Sequence, residues 1–249
     1  MKNFKKLFLF SVLFISNGLF ANSILLHYLD RPPYFIKKLA SNDTVTVEGI
    51  ISKRINFIAD KSGIKFKWAQ VPWKRTLLEI ENNMEKICSP SAFKTPEREK
   101  FGKYSSALYQ DLPAVVVTRP NMKEIGTQVT LKELLTNKKL KLLVKAGFSY
   151  GVELDKLLKK YKPTLIESYK NPSKHFKMIT LERADYMFAA PEEVEGQIKA
   201  SGFSKNQFKL SEIKDAPQGN KRYLFCSKKV TDKEIEEINK ALAEFHRKK

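Results

Sequence analysis

The sequence predicts an α/β protein built as two lobes, and three observations carry that expectation. Strand-like and helix-like segments alternate along most of the chain, which favours mainly parallel sheets covered by helices. Two proline-bearing breaks interrupt the alternation, residues 118–121 with Pro120 and residues 216–221 with Pro217 and Gly219. Once an export signal is set aside, about 226 to 228 of the 249 residues remain, more than the roughly 100 to 150 of a typical domain. The breaks divide the chain into a first lobe made from both ends, residues 22–118 and 221–249, and a second lobe, residues 119–220, inserted between them and joined by two crossovers. One large α/β domain is the other arrangement that this length allows.

The elements follow in chain order. Residues 1–21 read as a signal peptide, because Lys2, Lys5 and Lys6 precede an apolar run over 7–15 that only Ser11 interrupts, and small or polar residues follow at Ser16, Asn17 and Gly18. The run is too short to cross a bilayer and lacks the recurring polar face of a half-buried helix. Cleavage falls after Ala21, or after Ser23 with Ala21 two residues before it. No cysteine follows for lipidation and no later run of about 18 apolar residues occurs, so the mature chain is expected to be soluble in the periplasm. Residues 23–28 form a strand, stopped by Asp30-Arg31-Pro32-Pro33-Tyr34-Phe35. A helix over 48–61 sets Ile51, Ile55 and Ile58 on one face and ends at Ser62-Gly63.

Residues 64–70 alternate as a strand with Ile64, Phe66 and Trp68 on one side; an amphipathic helix over 73–82 and a short strand over 86–89 come next. Thr95 caps, and Pro96 opens, a helical turn to Lys100. The apolar, β-branched run over 114–118 predicts a buried strand. Capping boxes of Thr130 with Glu133 and Thr231 with Glu234 start helices at Leu131 and Asp232. Between them lie a strand over 140–144, a helix over 152–161, a helix ending near Ala184, a strand over 185–189, a helix over 191–200, and strands over 208–213 and 222–227.

The charge balance narrows the function. Lys2, Lys5 and Lys6 supply three of the formal +19, so the mature chain keeps +16. The lysines are spread along the chain with no RNP motif, zinc-finger spacing or recognition helix, so the expected result is a solvated basic surface, or a cleft that steers anions, with no nucleic-acid partner. A surface protein that binds an anionic polymer is the rival, and steep salt dependence would mark it. His27, His175 and His246 show no metal-ligand spacing, and neither a metal nor a cofactor is expected. Cys88 and Cys226 are the only cysteines; in an oxidising compartment they either pair or remain two free buried thiols.

Two short constellations carry chemistry. Gly147-Phe148-Ser149-Tyr150-Gly151 matches G-x-S-x-G between a strand and a helix, but no HGGG-like segment precedes it, and His175 and His246 are the only later histidines for a hydrolase. The same residues read as a helix N-terminus whose N–H groups and Ser149 hydroxyl can bind an anion, or as a plain tight turn. Thr95-Pro96-Glu97-Arg98-Glu99 sets the planar fork of Arg98 on the first turn after a strand, where it either grips a carboxylate or faces water.

In this order, over nearly the whole mature chain, the features resemble the bacterial extracellular solute-binding proteins of family 3, the polar amino-acid-binding components of ABC transporters. The matching residues are Pro32-Pro33-Tyr34-Phe35, Gly49-Ile50, Val71-Pro72-Trp73 and, most specifically, Thr95-Pro96-Glu97-Arg98 followed by Phe101 and Tyr104-Ser105. The resemblance implies the type II periplasmic binding protein-like fold, a monomer whose two lobes close on a small solute, with no catalysis, and an inner-membrane permease as partner.

For the site, the resemblance implies that Arg98 holds a ligand carboxylate and that Ser149 offers it a second-lobe hydroxyl. Tyr34 and Trp73 become aromatic cleft walls, although each also reads as core packing. A Cys88–Cys226 disulfide is implied too, because the family's chain path sets the strand of Cys88 beside the strand that returns through Cys226.

Two positions depart from the pattern. Ala190 stands where an aspartate for the ligand ammonium is usual, with Glu192 and Glu193 the nearest following acids, and Cys88 stands where the first lobe often has an aspartate. Standard α-amino acids are therefore expected to bind weakly unless Glu192 or Glu193 takes that place. A periplasmic enzyme on the same fold, a dehydratase or a hydrolase using Ser149, is the alternative function.

Overall fold

The alternating chain folds into two mixed sheets in a computed structural model that describes residues 23–39 and 45–247. The signal peptide expected over residues 1–21 lies outside the described residues. β1 (Ser23–Tyr28) precedes a hairpin of β2 (Ile36–Leu39) and β3 (Val45–Glu48); α1 (Ile50–Ser62), β4 (Lys65–Gln70), α2 (Trp73–Glu81), β5 (Ile87–Ala92), the turn α3 (Pro96–Glu99) and β6 (Gly102–Gln110) follow. The second lobe runs β7 (Val115–Thr118), β8 (Gln128–Val129), α4 (Leu131–Thr136), β9 (Lys141–Lys145), α5 (Val152–Tyr161), β10 (Thr164–Ser168), α6 (Pro172–Thr180), β11 (Tyr186–Ala189), α7 (Pro191–Ser201) and β12 (Lys209–Ile213). β13 (Lys221–Ser227) and α8 (Asp232–Arg247) complete the first lobe.

The strand orders are β4-β1-β5-β13-β6 and β10-β9-β11-β7-β12-β8. β1 runs parallel to β4 and β5, and β10, β9 and β11 are mutually parallel. β13 is antiparallel to β5 and β6, and β7 is antiparallel to β11 and β12. Antiparallel pairing thus enters where a strand arrives from the other lobe, and this is why the sheets are less uniformly parallel than the alternation predicts.

The first crossover is earlier than the sequence places it. Val116 pairs with Phe188 and Ser211, so β7 belongs to the second sheet and the chain leaves the first lobe through residues 111–114. Val116 and Val117 are fully buried, which accounts for the unbroken apolar run at a central strand. β6, with few buried apolar side chains, takes the outer edge of the first sheet instead.

The two crossovers run side by side. A Cβ on Gly219 would meet the Asp111 carbonyl oxygen at 1.7 Å, so only glycine allows this approach. Asp111 N donates to Asn220 O at 2.9 Å and Gln110 Nε2 to Gly219 O at 3.1 Å, fastening the paired strands that join the lobes.

Each lobe buries apolar side chains on both sheet faces. In the first, Ile51, Ile55 and Ile58 of α1 meet Ile235, Ile238 and Leu242 of α8 above Ile24 and Leu26, while Ile80 of α2 covers the other face with Ile87 and Phe225. In the second, neighbouring residues of β7 point oppositely: Val116 packs with Leu134 of α4 and Leu154 of α5, and Val117 with Phe176 of α6 and Ile198 of α7. Burying each such side chain contributes about 1.5–3 kcal/mol. Cys88 and Cys226 are register partners on β5 and β13 and form a disulfide. Among the described residues no helix is long and apolar enough to cross a membrane.

Candidate ligand-binding cleft

The carboxyl ends of β1, β5, β9 and β11 face one another across the crossovers and enclose a cleft of about 360 Å³. The crevice outside the carboxyl ends of parallel strands is the usual ligand site of open α/β sheets. Arg98 lines it. Thr95 Oγ1 accepts the Arg98 backbone N–H at 3.3 Å and Pro96 sits at the first helical position, which fixes the turn that aims the side chain.

The Arg98 side chain is buried and its charge is met by neutral groups: Nη1 donates to Phe93 O at 2.9 Å and Nη2 to Gly147 O at 3.2 Å. Its guanidinium carbon lies 5.0 Å from the centre of the Trp73 ring. Burial holds the Arg98 pKa below the ordinary guanidinium value. The other arginines on the cleft wall are satisfied by carboxylates: half-buried Arg31 grips Glu193 through Nε and Nη2 at 2.6 and 2.7 Å, and buried Arg222 Nε meets Asp111 at 2.6 Å. Among the described residues no carboxylate forms an ion pair with Arg98.

Trp73, at the start of α2, lines the cleft. Its Nε1 donates to Gly147 O at 2.7 Å and its ring meets Phe148 edge-on at 5.8 Å, so Trp73 and Arg98 converge from the first lobe on one carbonyl of the second. Ser149 also lines the cleft, but its hydroxyl proton is committed: Oγ donates to Asp155 and accepts from Gly151 N. Tyr150 N donates to the other Asp155 oxygen at 2.8 Å. The hydroxyl therefore shapes the loop and cannot donate to a ligand carboxylate as the sequence suggested. Asp155, on the first turn of α5, was the overlooked signal.

Two expected ligand contacts are elsewhere. Tyr34 is fully buried and does not line the cleft; its hydroxyl lies 3.0 Å from Asp111 and 3.3 Å from Glu192, and the Arg222 guanidinium sits 4.2 Å from its ring centre. Burial pushes its phenol pKa up. Its apolar ring is thus core and its polar tip part of an ionic cluster. Glu192 is also off the cleft wall: Oε1 accepts from Tyr109 OH at 3.1 Å and Leu112 N at 3.2 Å besides meeting Tyr34. It holds the second lobe against the first.

Glu193 lines the cleft instead, at the N-terminus of α7 beside Ala190, and spans the cleft to Arg31. Burial alone would raise the Glu193 pKa, but the charge and hydrogen bonds of Arg31 outweigh it and hold the carboxyl below its ordinary value. Sequence reasoning missed Arg31, whose position in the proline loop gives no hint of a partner more than 160 residues away. Among the described residues no group of three or more His, Cys, Asp or Glu side chains is placed to hold a metal.

Two α/β lobes on paired crossovers around a cationic cleft define the architecture of a solute-binding protein. The family model for bacterial extracellular solute-binding proteins, family 3, matches residues 29–249, and the chain belongs to that family. Solved structures agree in fold. An ancestral arginine-binding protein bound to arginine superposes with a TM-score of 0.70 at 18% identity, over 90% of this chain and 92% of that one.

A substrate-binding protein of an amino-acid ABC transporter from Streptococcus pneumoniae, bound to L-arginine, gives 0.70 at 14% identity over 91% and 89%. Holo ArgBP from T. maritima gives 0.68 at 17% over 90% of each chain. No curated protein matches the sequence significantly.

Proposed function

We propose that the protein captures a small carboxylate-bearing solute in the periplasm and delivers it to an ABC-type permease. The observation that carries this reading is Arg98: a buried guanidinium on the cleft wall that donates to the Phe93 and Gly147 carbonyls and forms no ion pair among the described residues. A buried charge without a counter-ion is costly, so the site is complementary to an anion. Membership of a solute-binding family and similarity to structures holding arginine support an amino-acid-like solute.

The surroundings argue against a free α-ammonium, because the buried carboxylates of the cleft, Asp111 and Glu193, are each paired with an arginine. The enzyme alternative gains no support: the Ser149 hydroxyl is held by Asp155, His246 faces Ala107 O, and His175 lies outside this cleft.

Calorimetric titration tests the reading. Arg98→Ala is expected to weaken carboxylate binding by about tenfold or more, since a hydrogen bond to a charged group contributes roughly 1.5–3 kcal/mol. Arg98→Lys restores little, because a point charge cannot reproduce the planar fork. Equal affinity of wild type and Arg98→Ala for the solute that co-purifies removes Arg98 from the site. For localisation, N-terminal sequencing of the exported protein is expected to begin at Asn22 or Ile24, and recovery of intact Met1 from the membrane pellet overturns cleavage.

A further inference from the structure

A second, smaller chamber of about 60 Å³ opens behind the cleft, between the starts of α6 and α7 and the ends of β9 and β11. It shares Arg31, Phe148, Tyr150, Phe188, Ala189 and Glu193 with the cleft, so the two adjoin. Polar side chains are set into a largely apolar wall. Lys145, His175 and Gln197 line it and are each more than nine-tenths buried.

Two atoms of this wall lack hydrogen-bond partners: His175 Nε2 and Gln197 Oε1. Both are acceptors. The Gln197 amide is oriented by its Nε2, which donates to Pro32 O at 3.4 Å. Burial and the charges of Lys145 and Arg31 bring the His175 pKa down to about 4, so the ring is neutral at physiological pH. A backbone hydrogen bond to Lys170 favours a proton on the ring, which places it on Nδ1 and leaves a lone pair on Nε2. The Lys145 ammonium supplies a donor, fixed on one side by Tyr169 O.

Buried polar groups are rarely left without partners, and each unsatisfied one is costly. Resting on the carboxylate reading of Arg98, we infer that this chamber receives the distal end of the solute, and that this end is a neutral hydroxyl or carboxamide. Such a group donates to His175 Nε2 or Gln197 Oε1 and accepts from Lys145 Nζ. A second carboxylate is disfavoured, because it would set its oxygens against two lone pairs. The chamber exceeds the roughly 10–15 Å³ that one water needs, and so has room for a terminal group of a few heavy atoms.

The test is calorimetry on mature protein freed of co-purified solute, titrated with linear acids of four to eight carbons in three series: unsubstituted acids, ω-hydroxy and ω-carboxamide acids, and α,ω-dicarboxylates. At one chain length the hydroxy or carboxamide acid is expected to bind about tenfold or more tightly than its unsubstituted and dicarboxylate counterparts. His175→Phe and Gln197→Met should each bring that ratio close to one, and the Gln197 variant decides the matter if His175→Phe does not fold.

Equal affinity across the series in the wild type, with Arg98→Ala still weakening all of them, overturns the chamber assignment and leaves the carboxylate site standing. A preference for dicarboxylates also overturns it. Indifference of every series to Arg98→Ala overturns the carboxylate reading on which the inference rests.

Discussion

Replacing Cys88 and Cys226 together by alanine is expected to destabilise the first lobe by about 2–5 kcal/mol and lower its unfolding midpoint by about 5–20 °C. The bond joins strands 138 residues apart in sequence, and for a loop of that length the chain-entropy account gives roughly 5 kcal/mol. The whole second sheet lies inside this loop, because β7 to β12 fall between Cys88 and Cys226. If the second lobe stays folded while the first unfolds, the loop is already shortened and the effect falls toward the lower value.

Both cysteines are fully buried in register on neighbouring strands, so alanine also leaves a small void, which adds to the loss. Guanidinium unfolding followed by the fluorescence of Trp68, packed in the first-lobe core, measures it. A loss under about 1 kcal/mol would show that the noncovalent packing of β13 and α8 closes the lobe unaided.

What the sequence disclosed depended on how local the cause is. The α1 stripe, the helix start at Asp232, the Thr95-Pro96 turn and the Gly219 break are written in neighbouring residues, and the structure has all of them where expected. β6 went unrecognised because Gly102–Gln110 is an edge strand whose buried positions, Gly102, Ser105 and Leu108, include only one large apolar side chain. The crossover was placed at Pro120 because a proline breaks structure visibly, whereas the true exit at residues 111–114 is marked by contact with Gly219, which no local pattern records. Tyr34 was assigned to the ligand by resemblance, as an aromatic wall, and Glu192 as an acid next to the position of the missing aspartate. They meet each other instead, across 158 residues of sequence. Likewise the Thr95-Pro96 turn that carries Arg98 was legible locally, although its ligand role came only from the resemblance, while the commitment of the Ser149 proton needed the position of Asp155 in space.

Glu193→Ala is expected to shift the protein toward an open arrangement by about 2–3 kcal/mol and to weaken solute capture by about tenfold or more, because it leaves the half-buried Arg31 guanidinium without its counter-charge. Arg31 comes from the first lobe and Glu193 from the second, so the bidentate pair exists only when the lobes meet. Opening returns both groups to water.

The Glu193 pKa is held below its ordinary value in the closed form, and the sign of the pH dependence follows. The closing contribution is fully present above the ordinary carboxyl value, about 4.3, and is lost as pH falls through the lower closed-form value. Acid is therefore expected to open the wild-type lobes. Trp73 reports the change, since opening breaks its hydrogen bond to Gly147 O and parts its ring from Phe148; its emission is expected to move to the red as the X-ray scattering radius grows.

The double variant Arg31→Ala/Glu193→Ala separates a lost latch from a stranded charge. With no orphaned guanidinium it should recover part of the closed population, and its acid-induced opening should be shallower than that of the wild type. Arg31→Ala alone frees the Glu193 carboxylate toward the cleft, beside Ala190, and should raise the affinity for α-amino acids relative to the same acids without the ammonium. Unchanged scattering and emission in Glu193→Ala would mean that the Trp73 and Glu192 contacts hold the lobes together without this pair.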